Sequence, residues 1–410
     1  MPIDFNPNIP PNNNIVFHKP TIQSFIFPKQ KQDIFVKTIK TDNINSFTGN
    51  SITERPFGEI QKTGEIAKAF TITNANGASV ELSSFGAAIT AIKVPDKDGK
   101  IVDVTQGYDN VTPYETAPVG HAGGTIGPCA NKINNGKFTI NNETYKLETN
   151  KDNGKTHCHG GSDGFDVKNW KSKILSDGVE FTYVKKDMEN GYPGNVEAKV
   201  IYKFDNDNKL HIIYNAKTDK DTLINMTNHT YFNLDGAENT QENSVLEHIV
   251  KLPNSSTYTK NNSIAVPTGE IANVENTPFD FRTEKRIVDV INTEDEQLKI
   301  GSGFDQNYCI DNYDGETLIN IAEVKSNKTG IKLDVATNLP GFQFYTANHL
   351  GKPTQPAGKS GTRYEKRSAL CVEPQFYPNA INTPEFTEKG ILKSGEEYNR
   401  EIVYSFSVEK

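Results

Sequence analysis

The chain is poor in cysteine, methionine and tryptophan, with 4, 3 and 1 among 410 residues. Cys129, Cys158, Cys309 and Cys371 stand far apart with no CxxC pair. That spacing argues against a disulfide framework and predicts free, mostly buried thiols in a reducing compartment. No run approaches the roughly 18 apolar residues of a membrane span. The opening "MPIDFNPNIPP" has an acidic residue and prolines where a secretory signal has a basic start and an apolar stretch. The expectation is a soluble, cytoplasmic chain. Blocks of basic residues are missing too. Lys and Arg number 44 against 52 Asp and Glu, a net charge of −8, and the cations are scattered. Nucleic acid and anionic membranes both demand a basic face, so neither is expected as a partner. There is no Gly-rich phosphate loop or HExxH, no heptad pattern and no obvious repeat, and no serine has an elbow-like setting.

What is present is β-type alternation. The first 57 residues differ, being polar and rich in Asn and Pro ("PNIPPNNN", "TDNINSFTGN") with brief apolar islands. They predict a loosely ordered extension, residues 1–57, ahead of a folded domain, residues 58–410. In "GKFTINNETYKL", Phe138/Ile140 and Tyr145/Leu147 alternate around Asn141-Asn142, which reads as a hairpin. Val196, Ala198, Val200, Tyr202 and Phe204 mark one strand, and Leu210, Ile212 and Tyr214 its partner beyond an Asp/Asn turn. Ile402, Tyr404, Phe406 and Val408 mark a C-terminal strand. Strands at this spacing predict an all-β sandwich or barrel. Some 350 residues is large for one β core, so periodicity leaves one domain or two open.

Chemistry-bearing residues concentrate in a few stretches: "GPCANKINNG", "THCHGGSDGFDVKNW", "NMTNHTYFNLDG", "GSGFDQNYCI", "LPGFQFYTANHL" and "CVEPQFYPNAIN". Together they hold amides, imidazoles, carboxylates and aromatic faces, the groups that handle a polyhydroxylated ligand. "THCHGG" poses a question of its own. A strand would send His157 and His159 to one face and Cys158 to the other. That suits two metal ligands, or one structural and one functional histidine. No supporting Cys/His spacing occurs elsewhere. The carboxylates Asp305 and Glu373 would suit a glycosidase, depending on their separation. One histidine as acid with one carboxylate as base would serve proton transfer on a sugar.

The order and wording of these segments resemble the aldose 1-epimerase (galactose mutarotase) family, from about Gly58 to Val408. The resemblance runs through "TITNANGASVELSSFGAAITAIKVPDKDG", "DVTQGYDNVTPY", "GPCANKI", "HGGSDGFDVKNW", "GYPGN", "TNHTYFNLDG", "VPTGEI" with "TPFDFR", "GFDQNYCI", "PGFQFYTAN" and "VEPQFYPNAIN". It implies one large antiparallel β-sandwich with an open sugar cleft, and interconversion of the α and β anomers of free aldohexoses, galactose or glucose, without cofactor or metal. The partner it implies is a small sugar, and the chain a monomer or homodimer. By the same resemblance Glu373 is the catalytic base and His229 the acid. Asn131, Lys132, His159, Tyr231, Asp305 and Gln343 contact the sugar. His157 has no matching role and is expected to be scaffolding, as are His18, His121, His211, His248 and His349. The chain departs from the family in carrying Lys132 and Pro128 where arginines are usual, Gln306 where histidine is common, and Pro374 after the base. The Lys132 and Pro128 changes are the best support for a rival reading, a sugar-binding protein on the same fold without turnover.

Overall fold

Burial follows the alternation closely. Along Val196–Phe204 every second residue from Val196 to Phe204 is buried, and along Lys209–Thr218 the buried set is Leu210, Ile212, Tyr214, Ala216 and Thr218. The two strands pair antiparallel, with Val200 opposite Tyr214. The C-terminal strand Glu397–Val408 buries Ile402, Tyr404 and Phe406 against the same core, and its Val408 is half-exposed. In the predicted hairpin, Lys137–Ile140 pairs with Glu143–Lys146 and sets Phe138 opposite Tyr145. Asn141 and Asn142 make the turn at φ of 51° and 64°. Two consecutive left-handed residues are what a type I′ hairpin turn requires, and Asn tolerates them.

The structure is a computed structural model that describes residues 39–40, 47–116 and 120–409. Those residues all fall within one unit, Phe35–Lys410. Most of the expected extension, and His18 with it, lies outside the described residues. The line drawn at residue 57 falls inside the strand Ser51–Glu59, because Ile52 and Phe57 are buried and the strand pairs with Ile66–Thr73.

Among the described residues three larger sheets form the frame, all antiparallel. A nine-stranded sheet runs from Lys171–Ile174 through the central strands already described to Lys285–Arg286. A six-stranded sheet follows chain order from Ile39–Lys40 to Ile101–Asp103. The third has five strands in the order Pro267–Asn273, Thr257–Asn261, Asp305–Cys309, Gly341–Tyr345, Cys371–Gln375. One contiguous apolar core joins all three, with Phe70 of the six-stranded sheet edge-on to Phe181 of the nine-stranded sheet at 5.7 Å between ring centroids. Among the described residues the α-helices are two of six residues each, Val111–Thr116 and Glu296–Gly301. The expectation of an all-β sandwich holds.

The five-stranded sheet matters most for function. Its register sets Gln343 opposite both Asn307 and Glu373, and Tyr345 opposite both Asp305 and Cys371. Strand alternation therefore puts Asp305, Gln343, Tyr345, Cys371 and Glu373 on one face. Gln306, Phe344 and Val372 point to the other, where the apolar pair joins the core.

Candidate active site

A cleft of about 550 Å³ opens over that face. Asn131, Lys132, His159, His229, Tyr231, Asp305 and Glu373 all line it. Gln343 sits behind, its amide donating to Asp305 Oδ1 at 2.6 Å. The residues expected to act together are thus brought together from six separate segments.

His229 follows the short strand Thr227–Asn228. Its backbone is pinned on both sides, its N–H donating to Gly124 and its carbonyl accepting from Gly123. Gly123 has φ +63°, and a Cβ there would sit 1.8 Å from the Ile89 carbonyl oxygen, so only glycine fits. The His229 ring stacks on Tyr231 at 5.0 Å. Its Nδ1 lies 3.6 Å from Cys371 Sγ and its Nε2 lies 3.6 Å from Glu373 Oε2. Glu373 is 2% exposed, and Oε2 has no hydrogen-bond partner among the described residues. An unpaired buried carboxylate oxygen costs stability that a structural role would not explain. Burial, and then the Asp305 carboxylate, pushes the Glu373 carboxyl well above the usual range. Burial, and then the neighbouring His121, pulls His229 down to about 3. Asp305 is raised by burial, which the Gln343 hydrogen bond partly offsets.

"THCHGG" resolves differently from a plain strand. The strand Thr156–Cys158 ends before His159, which takes φ +53°. This left-handed residue breaks the alternation, so Cys158 and His159 line the cleft and His157 does not. His157 is fully buried, with Nδ1 at 2.7 Å from the Glu148 carbonyl and Nε2 at 2.7 Å from the Tyr192 hydroxyl. Both nitrogens are consumed by the scaffold. His159 exchanges backbone contacts with Asn131, donating N–H to its carbonyl, while His159 Nδ1 accepts the Asn131 N–H at 3.2 Å. The ring proton is therefore on Nε2. Burial, with His121 and His229 adding to it, holds His159 well below its ordinary pKa, so it stays neutral.

His159, His229 and Glu373 could each offer an atom to a metal, all within 4.8 Å of one another. The hydrogen bonding fits such a centre poorly, because an Nε2 that carries the ring proton has no lone pair for a cation. Turnover should accordingly be the same with and without excess EDTA. Activity lost to EDTA and restored by zinc would overturn this.

Of the histidines expected to be scaffolding, His211 pairs with Glu401 on the sheet and His248 Nε2 accepts the Leu234 N–H. His349 and His121, however, line the cleft. His121 stands in "VGHAGG", where nothing marks it; only the fold brings its ring to 4.8 Å from His159 and 5.9 Å from His229.

The profile of the aldose 1-epimerase family matches residues 68–405. The chain belongs to that family. It is 35% identical to the galactose mutarotase of Bos taurus over 359 residues, covering 87% of this chain and 99% of the relative. It is 31% identical to the aldose 1-epimerase of Escherichia coli K12, covering 84% and 97%. Among solved structures, a galactose 1-epimerase from Lactobacillus acidophilus superposes with a TM-score of 0.74 at 26% identity, covering 88% of this chain and 99% of that one. An aldose epimerase homologue from C. elegans gives 0.73 at 29% identity, covering 82% and 97%. As an aldose 1-epimerase the chain is an isomerase that interconverts sugar anomers, and nothing in these likenesses supports the rival without turnover.

The structure accounts for most of the departures from the family. Gln306 lies on the far face of its strand, its amide donating to the Thr259 carbonyl, so it does not touch the cleft. Pro374 is tolerated because Cys371–Gln375 is the edge strand of its sheet, where a missing N–H breaks no ladder. Pro128 is buried off the cleft wall. Lys132 is on the wall but tied, its ammonium 2.9 Å from Asp152 and 2.6 Å from the Ile264 carbonyl. Lys132→Arg would keep the Asp152 contact with one edge of the guanidinium and free the other for a sugar oxygen. The expected result is a KM several-fold lower, on the order of 2- to 10-fold, with kcat unchanged, since contact made equally to substrate and transition state is uniform binding. A rise in kcat at constant KM would place the residue beside the reacting atoms.

Proposed function

We propose that this epimerase acts on free aldohexoses, galactose and glucose, with Glu373 as base and His229 as acid. Glu373 takes the proton of the C1 hydroxyl while His229 gives one to the ring oxygen. The bond from C1 to the ring oxygen breaks to the open-chain aldehyde, the C1–C2 bond rotates, and the ring closes on the other face with roles reversed. No cofactor enters this scheme, because one base and one acid balance the protons. Asp305, with Gln343 behind it, and Asn131, Lys132, His159 and Tyr231 bind the sugar.

The observation that carries this reading is the Glu373 oxygen, buried and unpartnered, 3.6 Å from the imidazole of His229. Burial favours the neutral form of each group, so the pair holds one proton between its two titrations. Shifting that proton from carboxyl to imidazole arms the base and the acid in one move. The deciding experiment is polarimetry of freshly dissolved α-galactose and α-glucose. A faster decay of optical rotation with enzyme is expected, whereas sugar binding with no acceleration would mean a binding protein.

We further place the chain in the cytoplasm, acting as a monomer or homodimer. In support, all four cysteines are unpaired, and no helix among the described residues is long and apolar enough to cross a membrane.

A further inference from the structure

We propose that His121, held by Asp166, is a sugar-binding residue that helps set which hydroxyl pattern the cleft accepts. This rests on the epimerase reading above. The comparison with His157 shows why packing does not explain His121. His157 is a scaffold histidine with both nitrogens satisfied by protein. His121 has one nitrogen satisfied, Nδ1 lying 2.6 Å from Asp166 Oδ2. Its Nε2 has no partner among the described residues, and the ring lines the cleft with 23% of its side chain exposed.

Asp166 is built in firmly. Its side chain is 4% exposed, and a Cβ on Gly86, at φ +73°, would come within 2.5 Å of its carbonyl oxygen. A buried carboxylate facing an imidazole at this distance makes a charge-assisted hydrogen bond and keeps the ring proton on Nδ1. With Nδ1–H committed to Asp166, the cleft-facing polar atom of His121 is Nε2, a bare acceptor when the ring carries that one proton. His159 is set the other way, since its Nδ1 accepts the Asn131 N–H and its Nε2 carries the proton. The two rings lie 4.8 Å apart. They offer the cleft one acceptor and one donor side by side, which matches two neighbouring hydroxyls of a pyranose, one donating to His121 and one accepting from His159.

Such a contact discriminates because a sugar lacking the hydroxyl, or carrying it on the other face of the ring, leaves Nε2 desolvated and unpaired. The test uses the full-length protein and compares wild type, His121→Phe and His121→Gln on the parent sugar and its 2-, 3-, 4- and 6-deoxy analogues. His121→Phe keeps a flat ring and removes the acceptor. It should raise KM for the parent sugar about 5- to 100-fold, the cost of one unpaired buried polar group. The value of kcat should stay within about 3-fold, as for uniform binding. The KM penalty should vanish for the one deoxy analogue that lacks the contacted hydroxyl and persist for the others. His121→Gln, whose amide oxygen can accept, should recover part of the loss. A penalty equal across all analogues, or none at all, would overturn the proposal and make His121 a packing residue. If His121→Phe does not fold, the same analogue series read on His121→Gln decides, with a smaller penalty lost on one analogue only. A wild type that turns over no aldose would instead sink the epimerase reading, so the two failures are distinguishable.

Discussion

Replacing Glu373 by Gln should lower kcat by about 10²- to 10⁴-fold, the usual range for a single proton-transfer group. The substitution keeps size and one hydrogen-bonding oxygen but removes basicity. The environment makes it a clean test. Glu373 Oε2 has no protein partner among the described residues, so the amide breaks no hydrogen bond there. The variant also removes a buried ionisable carboxyl whose charged form burial disfavours. Stability should therefore hold or rise while turnover collapses, and KM should move much less because the sugar's other contacts survive. Near-normal kcat in a folded Glu373→Gln protein would show that the proton goes elsewhere.

His229→Asn should cost a similar factor, about 10²- to 10⁴-fold in kcat, by removing the group that protonates the ring oxygen. The double variant should be only slightly slower than the slower single, since residues that act as a unit are not additive. The pH profile separates the two roles. With His229 pulled down to about 3 and Glu373 raised well above the usual carboxyl range, the pair holds one proton over the interval between the two titrations. In the wild type kcat/KM should fall on the acid side as His229 takes a second proton, and on the alkaline side as Glu373 loses its own. The acid limb should be absent from His229→Asn and the alkaline limb from Glu373→Gln, with circular dichroism checking the fold near pH 3. A wild-type profile with a single limb near the ordinary histidine value of about 6.5 would mean that the pair is not buried as described.

Period-two alternation was enough to read the strands, because a side chain's face on a strand is decided locally. The Val196–Phe204 and Lys209–Thr218 pair and the Asn141-Asn142 turn follow from neighbours a few residues apart. The wording of the motifs likewise pointed to Glu373, His229 and the sugar-contacting set without coordinates. What the tertiary structure alone decided concerns where side chains meet. One left-handed residue, His159, turned the cleft toward Cys158 and His159 and left His157 to the scaffold, against the alternation. His121 reached the cleft through Asp166, 45 residues away, and Lys132 was claimed by Asp152 and by the Ile264 carbonyl. Each of these is a contact between segments distant in the chain, fixed by how three sheets pack over one core. Local periodicity carries no record of such distances, because the energy that sets them comes from burial shared across the whole fold.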